Sequence, residues 1–147
     1  MNKVFLGTLF LMATLMRPVA FATDGETLFD DRCAVCHQRG GVGSPGLAPP
    51  LVDESLWGRL GASAPLYIAG VMIAGLSGSI EVASQKYSGL VMPPQDRMTD
   101  DQLAAIGTYI LSKLNNSSLR LSVTTLAEIR IAPPTHARLR EMRWSGK

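Results

Sequence analysis

One pentapeptide constrains this 147-residue chain more than any other feature: Cys33-Ala34-Val35-Cys36-His37. Two thiols separated by two residues, followed at once by an imidazole, match the attachment signature of a c-type haem. The spacing has a geometric reason. Two intervening residues let a helical turn present both sulfurs to the two vinyl groups of one porphyrin. The adjacent imidazole then lies against the ring, where it can ligate iron. Other readings of the pair fit less well. A thioredoxin-like redox pair belongs with a βαβ pattern, which does not surround this one. Zinc would need two more ligands, and His136 is the one other histidine. A disulfide across so tight a loop is strained. The motif therefore predicts a single covalent haem, with Cys33 and Cys36 as its thioether positions and His37 as an iron ligand.

Covalent haem attachment belongs outside the bacterial cytoplasm, and the amino terminus agrees. Lys3 precedes an uncharged thirteen-residue apolar run over residues 4–16, Pro18 follows, and Ala20-Phe21-Ala22 has the small-x-small form of a cleavage site. The run is short of the ~20 residues of a membrane span. Residues 1–22 thus read as a cleaved signal peptide and residues 23–147 as a periplasmic protein without a transmembrane span. A retained amino-terminal anchor is the other reading. At 46% hydrophobic residues the chain is not disordered, and 14 basic against 12 acidic side chains offer no field for nucleic acid. The length suits one domain. Charge is unevenly spread: residues 23–112 hold five basic and ten acidic side chains, residues 113–147 seven and two. That basic extension either docks on an acidic partner or folds back on the acidic body.

The pattern is all-α, without alternating strands joined by hairpin turns. Asp24 can cap a helix through Cys33, with Glu26 in its first turn. A second helix starts near Ser63, has Pro65 in its first turn and stops by Gly75. Thr99 and Gln102 form a capping box for a helix over residues 100–113, whose apolar stripe is Leu103, Ile106, Ile110 and Leu114. The segment 115–118 reads as a linker. Beyond it, Thr125 and Thr135 are candidate caps for two short helices, the second with Leu139 and Met142 as apolar contacts. The glycines of residues 39–50 suit either close approach to a flat cofactor or a flexible surface loop.

The second iron ligand has five candidates: Met72, Met92, Met98, Met142 and His136. Met92 precedes Pro93-Pro94, and prolines fix an extended, rigid loop able to hold a thioether in place. Met98 precedes the Thr99 cap with Leu103 four positions into the helix, the arrangement of a hydrophobic staple. Met72 has helical spacing with Ile68 and reads as core. Met142 and His136 lie in the tail.

From Gly25-Glu26-Thr27-Leu28-Phe29 through the Cys33–His37 motif the chain resembles small monohaem (class I) cytochromes c. The likeness continues through Ala48-Pro49-Pro50-Leu51, Gly75-Leu76-Ser77-Gly78, Tyr87-Ser88-Gly89, Met92-Pro93-Pro94 and the final strong helix. It covers about residues 24–114, so that residues 23–114 form the domain and residues 115–147 an extension. The resemblance implies the cytochrome c fold, several helices around one haem c, with Met92 as the second ligand. It also implies a carbonyl from Pro49 to the free nitrogen of His37. Gly25 and Phe29 would cross Ile106 and Tyr109. Tyr67, Tyr87 and Trp57 are candidates for haem packing or propionate contact, or plain core aromatics. By the same resemblance the protein is not an enzyme but an electron carrier, between a dehydrogenase and an oxidase or other acceptor. It would be free-standing or a subunit of an oxidoreductase. A haem sensor or weak peroxidase with an open sixth iron position is the alternative, and a haem-free thiol-disulfide protein a third reading.

Overall fold

The computed structural model describes residues 24–144, and the segment read as an export signal lies outside them. Asp24 opens helix α1 (Gly25–Arg32), its carboxylate accepting from the backbone N–H groups of Glu26 and Thr27 at 3.2 and 3.3 Å. These donors have no partner inside the helix, which is why a capping carboxylate is favoured there. The chain breaks at Cys33 and resumes as the short helix α2 (Ala34–His37), so the attachment motif is itself a helical turn. Helix α3 (Glu54–Leu60) comes next under an Asp53 cap, a helix that sequence reading does not assign. Helix α4 (Ala64–Ala74) has Pro65 in its first turn and ends at Gly75.

Helix α5 (Asp100–Tyr109) carries the expected Thr99/Gln102 capping box and runs on through a π-helical turn, Ile110–Leu114. It crosses α1 at close range. A Cβ at Gly25 would collide with the Ala105 carbonyl, and Phe29, wholly buried, stacks at 5.4 Å between centroids on Tyr109. Ala105, and not the expected Ile106, is the residue met by Gly25, while Phe29 meets Tyr109 as expected.

Between α4 and α5 the chain forms two nested antiparallel ribbons. Strand β1 (Leu76–Ser77) pairs with β4 (Val91–Met92), Leu76 opposite Met92, and β2 (Ile80–Val82) pairs with β3 (Gln85–Tyr87). The inner turn places Ala83 and Ser84 at φ +50° and +64°. Glycine or asparagine usually fills such positions, which is why no hairpin signal stands in the sequence. The fold remains predominantly helical.

The stretch Glu54–Ala74 is long and apolar enough to cross a membrane, with mean hydropathy 1.2. Here it is α3 and α4 with a bend at Gly61, and Trp57, Tyr67, Ile68 and Met72 on it are buried in the core.

The basic extension folds back. Helix α6 (Val123–Ile131) packs on α4 and α5, and α7 (His136–Trp144) on α3 and α4. Leu121, Leu126 and Leu139 belong to the same core as Phe29 and Leu103. Ser122, rather than Thr125, caps α6, while the Thr135 hydroxyl accepts from the Arg138 N–H at the start of α7. The tail arginines are met mainly by carbonyls: Arg130 reaches those of Asp96 and Met98 as well as the Asp100 carboxylate at 2.7 Å, and Arg140 that of Ser77.

Asn115 corrects the reading of a linker. It is 6% exposed, donates to the carbonyls of Leu51 and Ile110 at 2.9 Å each, and accepts from the Asp53 N–H at 2.8 Å. Truncation would leave buried backbone groups short of partners, each costing about 1–3 kcal/mol. Asn115→Ala is therefore expected to lower stability by about 2–4 kcal/mol in urea denaturation. Ser118→Ala, at an exposed position outside that network, should change it by less than about 0.5 kcal/mol.

Candidate haem site

The elements enclose a cleft of about 370 Å³, within the range that holds a sizeable organic ligand. Its walls are mainly apolar, from Leu56, Ile68, Leu76, Ile80, Val82 and Leu103 among others. On these walls also lie Cys33, Cys36 and His37, and the Met92-Pro93 segment. Two thiols, an imidazole and thioethers around an apolar slot fit the donor set and the shape of a covalently bound haem.

His37 is 7% exposed, and its Nδ1 lies 3.0 Å from the Pro49 carbonyl oxygen. Burial holds this imidazole below its ordinary pKa, the Pro49 contact offsetting part of that, so the ring is neutral at pH 7. A carbonyl can only accept, which assigns the proton to Nδ1 and leaves Nε2 with a free lone pair. Two residues beyond Pro49 the chain is fixed at Leu51, whose carbonyl accepts from both Trp57 Nε1 and Asn115 Nδ2 at 2.9 Å. The glycine-rich loop is pinned as well, its Gly43 N–H donating to the His37 carbonyl at 2.8 Å and Leu51 N–H to Gly41 at 2.7 Å.

Met92 is half-buried at the end of β4. Gly75, at φ +72°, lies against it so closely that a Cβ would stand 2.5 Å from the Met92 carbonyl oxygen. Pro93 and Pro94 offer no N–H, and the next one, on Gln95, donates to Met72 at 2.7 Å. The loop is thereby held by β1 on one side and by α4 on the other. Met72 and Met98 reach the same cleft, beyond their readings as core and staple residues. Met142 and His136 are not on its walls. His136 has both ring nitrogens engaged, with the Ser77 hydroxyl and, at 3.0 Å, the Ala74 carbonyl.

The aromatic candidates divide. Tyr67 and Trp57, ring centroids 6.1 Å apart, are buried and touch the cleft, and so is Tyr87, whose hydroxyl donates to Gln85 at 3.3 Å. Sequence reasoning missed Arg143 of α7, which lies on the wall of the cleft. No local signal marks it, because its partners Tyr67 and Glu81 lie far back along the chain.

The two thiols differ. Burial, and then the neighbouring Cys36, push the Cys33 thiol up to about 11, while Cys36 is exposed. In the haem-free chain at pH 8 Cys33 is then about one part in a thousand thiolate, and only the thiolate attacks an alkylating agent. Iodoacetamide with mass-spectrometric readout is expected to label Cys36 first and Cys33 at least tenfold more slowly. Equal rates would show that Cys33 is accessible and unshifted.

Residues 22–113 match the family model of cytochrome c. The chain belongs to the cytochrome c family. It is 39% identical over 90 residues to cytochrome c-552 of Thermus thermophilus, covering 59% of this chain and 65% of that protein. It is also 31% identical over 113 residues to the fructose dehydrogenase cytochrome subunit of Gluconobacter japonicus, 74% of this chain but 22% of that protein. The chain therefore spans less than two thirds of the length of these relatives. The helical fold and the monohaem class I assignment agree with this membership, and membership in a cytochrome c family implies a covalently bound haem c and electron transfer.

Proposed function

We propose that this cytochrome c is an exported, periplasmic one-electron carrier whose haem is held through Cys33 and Cys36, with His37 and Met92 as axial ligands. When bound, haem supplies reversible one-electron exchange between ferric and ferrous iron. The chain's own residues do the rest. His37, neutral and turned by the Pro49 carbonyl, keeps a lone pair for the metal. The Met92-Pro93-Pro94 loop, held by β1 and by Gln95, offers a soft donor with little freedom to swing away. The apolar walls exclude water, and a thioether ligand favours the reduced state.

The observation that carries the reading is that His37 and Met92, distant in sequence, line one apolar cleft with both cysteines. With His37 and Met92 both holding the haem iron, no position would remain for oxygen or peroxide, which would suit electron transfer rather than sensing or peroxidase chemistry. Donation by a dehydrogenase, with passage to an oxidase or other acceptor, is supported by the relative named as a dehydrogenase cytochrome subunit. The test is carbon monoxide added to the dithionite-reduced protein at neutral pH. A carrier leaves the absorption spectrum unchanged, and rapid formation of a carbonyl complex would favour the sensor or peroxidase instead.

A further inference from the structure

Arg143 is the buried cation of the haem cleft. It lies 6% exposed on α7, and its Nη1 donates to the Tyr67 hydroxyl at 2.8 Å. Its Nη2 donates to the Glu81 carbonyl at 3.2 Å, and its Cζ stands 5.8 Å over the centre of the Tyr67 ring. These contacts orient the guanidinium, yet every one of them is neutral. Among the described residues Arg143 makes no ion pair with a carboxylate. A guanidinium stays charged at any pH a folded protein tolerates. Buried without a counter-charge, it costs several kcal/mol. The other arginine on the cleft, Arg32, is exposed and needs no such partner. The neighbouring helix positions show the contrast: Arg138 is exposed and paired with Glu141 at 2.9 Å.

Haem carries two propionate carboxylates. On the reading that haem fills this cleft, we infer that Arg143 is the counter-ion of a haem propionate, with Tyr67 holding the guanidinium in place. The carboxy-terminal extension then belongs to the cofactor site rather than hanging beside it. A positive charge next to the porphyrin favours ferrous over ferric iron, because reduction adds a negative charge to the same low-dielectric pocket. Arg143 thus helps to keep the reduction potential high.

The experiment uses the full chain matured with haem, as wild type, Arg143→Leu, Arg143→Lys and Arg138→Gln. Haem content is read by the pyridine haemochrome spectrum, and midpoint potential by redox titration. The expected result is haem in all four. The potential should fall in Arg143→Leu, recover most of the way in Arg143→Lys and stay at the wild-type value in Arg138→Gln. An Arg143→Leu protein with haem attached and an unchanged potential overturns the inference. Should that variant fail to accumulate, the crystal structure of the wild-type holoprotein decides: a guanidinium nitrogen within about 4 Å of a propionate oxygen supports it, and a longer separation from both propionates overturns it. A wild-type chain without haem would overturn the functional reading and this inference together, whereas haem with a distant Arg143 overturns this inference alone.

Discussion

Met92→Ala is expected to retain covalent haem and lose its low-spin spectrum. On the proposed reading, attachment would depend on Cys33, Cys36 and the helical turn that carries them, and not on the Met92 side chain. The iron would lose its soft ligand, turn high-spin and bind carbon monoxide when reduced. The reduction potential is expected to fall by tenths of a volt, a sizeable part of the ~0.8 V over which axial ligands set haem potentials. Two further thioethers reach the cleft, so the controls carry weight. Met72→Leu and Met98→Leu conserve volume and should cost under about 1.5 kcal/mol with the spectrum intact. If Met98→Leu or Met72→Leu abolished the low-spin bands and Met92→Ala did not, the ligand would be reassigned accordingly.

The second large effect concerns the extension. A chain ending at Asn116 would lose Leu121, Leu126, Ile129 and Leu139, all buried in the common core. At ~1.5–3 kcal/mol for each fully buried side chain, that removes about 6–12 kcal/mol. Typical domains have only 5–15 kcal/mol in total. The deletion also uncovers apolar surface on α4 and α5 against which α6 packs. The haem-free truncated chain is therefore expected to show no cooperative thermal transition by circular dichroism, whereas the full chain does. Leu139→Ala, a wholly buried residue of α7, is expected to cost 2–5 kcal/mol in the intact chain. A sharp transition in the truncated protein, with wild-type midpoint, would show that the extension adds nothing to the core. A docking role for the basic tail is therefore better examined with exposed Arg120 or Arg138 replaced than by deletion.

How much of this was legible in the sequence depends on how local each determinant is. The Cys33–His37 motif is contiguous because a haem held as proposed would need both sulfurs and the imidazole within a single helical turn, so five residues carry that expectation. Caps are equally local: Asp24 and the Thr99/Gln102 box satisfy orphan N–H groups within three residues of themselves. The limits of α4 come from Pro65 and from Gly75, whose positive φ admits glycine most easily. The ribbons between α4 and α5 stayed hidden because Ala83-Ser84 turns the chain without the glycine or asparagine that would announce it. Asn115 passed for part of a linker since its polar composition is that of a loop. Its partners, Leu51 and Asp53, are brought to it only by the tertiary fold. Arg143 was hidden for the same reason, a basic residue in a basic tail until the fold sets it against Tyr67. The entry of Met72 and Met98 into the cleft is likewise a property of how α4 and the approach to α5 face each other, not of their spacing.

The most direct measurement of the central claim is the visible absorption spectrum of the protein exported in a haem-maturing host, first oxidised and then reduced with dithionite. Sharp low-spin α and β bands on reduction are expected, with a weak far-red thioether–iron band in the oxidised form and colour that remains with the chain after acidic acetone. A broad high-spin spectrum would contradict His37/Met92 ligation, and a colourless protein would contradict the haem itself.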